Sequence, residues 1–402
     1  MTVASVPAAG IFLPSFHPAR QNSPFFIFGC PRSGTSLLSA MLGMHPNLAI
    51  PYESHLYTGI YPAVNRYVNL SHPRTRALLV AEILRTEHVR RWSPAPSLTE
   101  TLEAITRPDF HGIVEGLLGA WASSQGKSRW GEKTPQHTLR WRTILPEFAR
   151  VQVIHLVRDG RDVALSYRKA FFGPKHVYAL AGRWQRYLAA AEEARAFVGE
   201  KAFLQVRYED LLATPEQELR RICGFLEEEY SPLMLAYHQE YQDTQCDQRN
   251  AANLRRPVIS ENAGKWRSQM TQRELRIFES LAGASLDRYG YVRALARPHI
   301  SAWESLSCRY LEHAPRRISA MIKNRQARRL ALQRLRLHFR LLAQMADPFR
   351  PSVKPRRQRA VDSASARPAN PHDLDRSVSG VADFPAGHPE EVPDPVCLGV
   401  VP

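Results

Sequence analysis

The apolar run Phe25–Phe28 is followed by a polar, glycine-bounded stretch and then by helical spacing of apolar residues from Thr35 to Met44. This order predicts a short buried strand over 25–29, a tight turn and a helix. Residues 55–125 carry mostly helical patterning, clearest in LLVAEILRT (78–86) and FHGIVEGLLGAW (110–121). SRWGEKTP (128–135) predicts an extended stretch that ends at Pro135 and leads into another helix. VQVIHLV (151–157) is the plainest strand, and RDGRDVALSYRK (158–169) reads as a turn running into a helix. A further strand is expected over AFLQVRYEDL (202–211). A helix should follow to about Leu226, with Thr214 as its N-cap before Pro215. Strands alternating with helices predict an α/β fold: a three-layer, P-loop-like arrangement with a central parallel sheet flanked by helices.

The same pattern sets the expected domain limits. Residues 1–23 form an N-terminal extension, and the globular domain runs over 24–295, closing near RYGYVRAL. A basic amphipathic helical extension occupies 296–348. The tail, 349–402, has too little apolar surface to offset chain entropy and is expected to be disordered.

Composition narrows the class. The chain has 402 residues, 44% hydrophobic and 23% charged, as in soluble globular proteins. No apolar run is long enough for a membrane span, and the N-terminus lacks a basic start followed by an apolar core, so no secretory leader is read. Cys30, Cys223, Cys246, Cys308 and Cys397 have no paired spacing. That argues against a disulfide framework or a zinc site and suits a reducing cytoplasm. The net charge of +16 is uneven: residues 316–359 hold fourteen Lys/Arg against Asp347 alone. Leucines 330, 332, 335, 337, 341 and 342 interleave with those arginines, a pattern for packing on the domain or on a partner helix. The alternative is peripheral contact with an anionic membrane surface. Nucleic acid is not expected, because no binding motif accompanies the charge. Oligomeric state has no signal.

Two motifs carry candidate chemistry. In Gly29-Cys-Pro-Arg-Ser-Gly-Thr-Ser36, glycines let backbone N–H groups turn inward around an anion, and the following helix adds its positive end. Ser33, Thr35 and Ser36 offer hydroxyls and Arg32 a charged fork. Yet Thr35 occupies the position after Gly34 where a nucleotide triphosphatase carries lysine. In the second motif, Arg158 stands at the carboxyl end of the plainest strand and Ser166 lies two helical turns on, a pair suited to a separate phosphate. A plainer role for Arg158 is pairing with Asp159 or Asp162.

PRSGTSLL near the N-terminus, followed later by VRDGRDVALS, resembles the sulfotransferase superfamily that uses 3′-phosphoadenosine-5′-phosphosulfate (PAPS). The likeness covers about residues 24–292 and is strongest to bacterial members resembling protein-tyrosine sulfotransferases. It implies that Arg32, Ser33, Gly34, Thr35 and Ser36 hold the phosphosulfate and that Arg158 and Ser166 hold the 3′-phosphate. Tyr208, in VRYEDL, and Lys265, in NAGKW, would lie near the nucleotide. Glu53, in HPNLAIPYE, matches a general base, and Lys133, in WGEKTP, a lysine near the transferred group. Other superfamily members use a histidine base, so His45, His55 and His137 stay open as alternatives. The implied reaction is in-line transfer of a sulfuryl group to an acceptor hydroxyl, with Arg32, Lys133 and Glu53 catalytic and no metal required. The rivals are a nucleotide kinase or triphosphatase and a non-catalytic nucleotide-binding relative. The latter predicts Glu53 and Lys133 pointing away from the loop.

Overall fold

The computed structural model describes residues 23–64, 69–170, 173–239 and 253–313. Most of the N-terminal extension, the leucine- and arginine-rich stretch from 316 and the tail lie outside the described residues. Five strands, β1 (Phe25–Phe28), β2 (Leu48–Ala49), β3 (Arg129–Glu132), β4 (Gln152–Val157) and β5 (Phe203–Arg207), pair in the order β2-β3-β1-β4-β5. All pairings are parallel, with Phe25 opposite Gly131 on one side and Gln152 on the other. The chain lays down strands on one side of β1, then on the other, which makes a topological switch beside β1.

The longer helices are α1 (Thr35–Gly43), α2 (Pro73–Leu84), α3 (Phe110–Ser123), α4 (Gly160–Lys169), α5 (Val177–Val198), α6 (Pro215–Leu226) and α7 (Gln272–Arg288). They cover both faces of the sheet, which is why all four β1 residues are buried and apolar without alternation. Phe26 and Phe28 pack with Ile113 and Leu117 of α3 and with Trp130 and Phe148. Phe25 and Ile27 point the other way, into Leu38 and Met41 of α1 and Leu219 and Ile222 of α6. A third cluster joins Val163, Trp184 and Phe278 from α4, α5 and α7, and Ile300 and Cys308 pack into it. Among the described residues no helix is long and apolar enough to cross a membrane.

Local expectations and structure differ in two places, each for a physical reason. The strand expected over 202–211 ends at Arg207, and Tyr208–Ala213 is already helical. Glu209 and Asp210 sit in its first turn, where the helix dipole favours acids, and the Glu209 carboxylate accepts the Asp159 N–H at 3.0 Å. Thr214 is the N-cap residue of α6, as expected, with Pro215 next; its hydroxyl donates back to the Asp210 carbonyl at 3.3 Å and makes no capping bond. β2 was not foreseen, because two residues are too short to show a period.

One buried cluster ties the switch region to the end of the described chain. Arg161 lies between Asp159 Oδ2 and Glu279 Oε1, both at 2.7 Å, with its guanidinium 3.5 Å from the Trp266 ring centre. Glu279 also accepts the N–H groups of Ala294 and Leu295 at 2.9 and 3.0 Å. Removing Glu279 would break one of the two buried ion pairs of Arg161 and leave the Ala294 and Leu295 N–H groups without their acceptor. Glu279→Ala should therefore lower unfolding free energy by about 3–5 kcal/mol, read from urea denaturation. A loss of only a few tenths would show that the cluster does not secure this region.

Candidate active site

The groups singled out in the sequence gather along one edge of the sheet, because parallel strands release their chain on the same side. The loop 29–36 follows β1, Glu53 follows β2, Lys133 follows β3, Arg158 follows β4 and Tyr208 follows β5. The loop enters with the Gly29 N–H bound to Thr138 Oγ1 at 3.0 Å and turns through Ser33 N–H to Cys30 carbonyl, also 3.0 Å. Arg32 and Gly34 both take positive φ, 77° and 95°. At Gly34 the need for glycine is double, since a Cβ would also overlap the Tyr208 ring. Cys30 is buried beneath the loop as an apolar filler, its thiol pushed up to about 12 by burial.

The loop opens into a cleft of about 340 Å³ lined by Arg32, Gly34, Thr35, Ser36, Arg158, Ser166, Tyr208 and Lys265, among others. Arg32 Nε donates to Ser166 Oγ at 3.0 Å, so the two sequence motifs touch. Arg158 donates to the carbonyls of Arg32 (3.2 Å) and Asn262 (2.6 Å), and its guanidinium stands 4.4 Å from the Tyr208 ring centre. The plainer role for Arg158 does not describe its neighbours. Asp159 is bound to Arg161, and Asp162 accepts the N–H groups of Gly264 (2.6 Å) and Trp266 (2.9 Å). Lys265 is brought in by that anchored turn and donates to Asn262 Oδ1 at 2.8 Å. Two buried polar atoms here have no hydrogen-bond partner among the described residues, Ser33 Oγ and Arg158 Nε. A buried donor without an acceptor is costly, and an anion in the cleft would relieve it.

Glu53 and Lys133 face the loop together. Lys133 Nζ lies 2.6 Å from Glu53 Oε1 and 3.3 Å from Ser36 Oγ, with its side chain 4% exposed. Burial works to raise the Glu53 carboxyl, but Lys133 and then His55 outweigh it and hold it well below the usual carboxylate range. Of the three histidines, His45 binds the Glu229 carbonyl at 2.7 Å and accepts the Asn47 N–H at 3.1 Å, securing the turn after α1. His137 is fully enclosed, with Nδ1 on Glu132 at 2.7 Å and Nε2 accepting the Tyr57 N–H at 3.3 Å. Both rings have both nitrogens occupied. His55 alone of the three approaches Glu53, with Nε2 3.3 Å from Oε2.

Supporting groups went unread in the sequence. Glu132 accepts Ser54 (2.7 Å), Thr134 (2.6 Å) and His137, which fixes the backbone on either side of Lys133. Asn262 donates to the Tyr208 hydroxyl at 2.8 Å while supporting Lys265. The only available signal was the density of hydroxyl, carboxylate and imidazole groups within GEKTPQHT.

The Sulfotransferase family model matches residues 24–232, just over half of the chain. The chain belongs to the sulfotransferase family. It is therefore a sulfotransferase-family enzyme whose fold is the parallel α/β sheet just described. Protein-tyrosine sulfotransferase A of Caenorhabditis elegans is 27% identical over 281 residues, covering 67% of this chain and 68% of that protein. The protein-tyrosine sulfotransferase of Drosophila melanogaster is 24% identical over 264 residues, 62% of this chain and 48% of the fly protein. An omega-hydroxy-beta-dihydromenaquinone-9 sulfotransferase of Mycobacterium tuberculosis is 26% identical over 185 residues, 41% of this chain and 42% of its own. The chain thus spans about half the length of two of these three relatives.

The Glu53–Lys133 pair makes a pH-dependent contribution to this family member. A depressed folded-state carboxyl stabilises the fold above its unfolded value and ceases to do so as pH falls through the folded one. The stability difference between wild type and Glu53→Gln should therefore be flat at neutral pH. It should shrink once pH drops below the ordinary glutamate value of 4.5, as measured by thermal unfolding from pH 8 to 3. A difference independent of pH would remove the ion pair as its source.

Proposed function

We propose that the chain moves a sulfuryl group from PAPS to an acceptor hydroxyl. The observation that carries this reading is the line from Ser36 Oγ to Lys133 Nζ to the Glu53 carboxylate, at 3.3 and 2.6 Å. It sets a cation and a base beside a glycine loop that has no lysine of its own. The cleft fits the donor chemically. Loop N–H groups with Ser33, Thr35 and Ser36 would cradle the phosphosulfate at the start of α1, and the orphaned Ser33 Oγ would gain an acceptor. Arg158 and Ser166, joined to the loop through Arg32, would take the 3′-phosphate. Tyr208 and Lys265 flank the nucleotide in this arrangement.

In the transfer, the acceptor oxygen forms a bond to sulfur as the bridging sulfur–oxygen bond breaks, leaving 3′,5′-bisphosphoadenosine. Lys133 and Arg32 would stabilise the charge that grows on the bridging oxygen. Glu53 takes the acceptor proton. With Lys133 drawn toward the leaving oxygen, its lowering effect on Glu53 would weaken and burial, opposed then by His55, would raise the proton affinity, which suits a base at that moment. The loop has no lysine after Gly34 because there is no γ-phosphate to hold. Lys133 and Glu53 facing the loop speaks against a non-catalytic relative. The worm and mycobacterial proteins are named for different substrates, a protein tyrosine and an omega-hydroxy-beta-dihydromenaquinone-9. A hydroxyl acceptor is common to both.

Purified protein incubated with sulfur-labelled PAPS and a panel including tyrosyl peptides and long-chain alcohols should label at least one acceptor. Calorimetry should show binding of 3′,5′-bisphosphoadenosine in preference to ATP. Hydrolysis of ATP without binding the bisphosphate would favour the nucleotide triphosphatase instead. Glu53→Gln should lower kcat by about 10²- to 10⁴-fold with bisphosphate affinity retained. Near-normal turnover would remove Glu53 as the base.

A further inference from the structure

Glu53 has two carboxylate oxygens, and the proposed chemistry asks Lys133 to release one of them. The other lies 3.3 Å from His55 Nε2. His55 is itself held unusually firmly. Its backbone is left-handed, φ 51° and ψ 19°, uncommon outside glycine and often found at functional sites. That conformation is secured by hydrogen bonds: its carbonyl accepts the N–H groups of Thr58 (3.2 Å) and Gly59 (2.6 Å). Its own N–H donates to Thr134 Oγ1 at 3.4 Å, the residue after Lys133. The ring is fixed at its second nitrogen by Thr58 Oγ1, 3.3 Å from Nδ1. His88 lies against it at 4.2 Å between ring centres and is in turn stacked on Tyr52. Burial, with His55 adding to it, lowers the His88 imidazole to about 3, so that ring stays neutral and does not compete for Glu53.

We infer that His55 is a positioning residue for Glu53, keeping the carboxylate aimed at the acceptor when Lys133 turns to the leaving oxygen. The inference rests on the proposed transfer reaction. Its residues lie beside the glycine-loop cleft, and His55 with Glu53 is 17% and 20% exposed, at the edge where an acceptor would enter. A base losing one of two tethers reacts from a wider range of orientations, and small misplacements of reacting groups cost large factors in rate.

His55→Ala should lower kcat by about ten- to a hundredfold while leaving the affinity for 3′,5′-bisphosphoadenosine unchanged. His55→Gln, whose amide nitrogen can reach the Nε2 position at the same strained backbone, should recover most of that loss. Equal damage in both variants, or an alanine variant within twofold of wild type, would overturn the inference. A third measurement does not depend on turnover: long-range proton–nitrogen spectra of the histidine rings. In Glu53→Gln the His55 ring nitrogens should shift while those of His45 should not. An unmoved His55 overturns the pairing even if no acceptor is ever labelled. Wild-type protein that transfers no sulfuryl group would instead refute the proposed reaction.

Discussion

Parallel pairing on both sides of β1 is the constraint from which the rest of the molecule follows. Because the strands run in one direction, each releases its chain at the same edge, and the order β2-β3-β1-β4-β5 sets the β1 loop between the segments leaving β3 and β4. Lys133 and Arg158 therefore approach the loop from opposite sides without long or strained connections. Gly34 completes the arrangement, since only a residue without Cβ lets the Tyr208 ring close over the loop.

The polar groups on the β3 side of the glycine loop form a graded set. Deepest is the Glu132 cluster, saturated by Ser54, Thr134 and His137, where buried polar atoms satisfy one another and nothing is left for chemistry. Next comes Lys133, nearly enclosed and shared between a loop hydroxyl and Glu53. Outermost is Glu53, with one fifth of its side chain exposed and both oxygens engaged by cations or potential donors. His45 and His137 spend both ring nitrogens on neighbours away from Glu53, whereas Ser33 Oγ and Arg158 Nε are buried and unmatched among the described residues. Buried donors left unmatched in this way suit the anion proposed for the cleft.

Much of this was legible in the chain. The apolar runs at 25–28 and 151–157 are long enough and flanked sharply enough to declare buried strands, and the glycine spacing after the first declares a tight turn. Boundaries were less legible where two signals compete, as at 202–211, where apolar alternation continues past the residue at which acids and a buried tyrosine start a helix. Thr214 stands at the N-cap where its residue type and Pro215 put it, but its hydroxyl makes no capping bond, a detail of side-chain orientation that the residue types do not decide. Residues acting through others carried little separate signal: Asp162 holds distant backbone N–H groups, and Asn262 and Glu132 meet the Tyr208 hydroxyl and Ser54 only on folding.

The sequence by itself determined the layered parallel fold and the glycine loop, because periodicity and glycine spacing act over a few residues. Its two separated motifs also marked the side of the sheet where the proposed anion-holding groups gather. Only the tertiary structure decided which histidine meets Glu53, that Lys133 bridges Glu53 to the loop, and that Arg158 bonds loop carbonyls in place of its neighbouring aspartates. Those outcomes depend on distances of about 3 Å between groups tens of residues apart, the range over which hydrogen bonds and ion pairs discriminate. Such distances are set by strand order and helix packing together, and no stretch of the chain contains them alone.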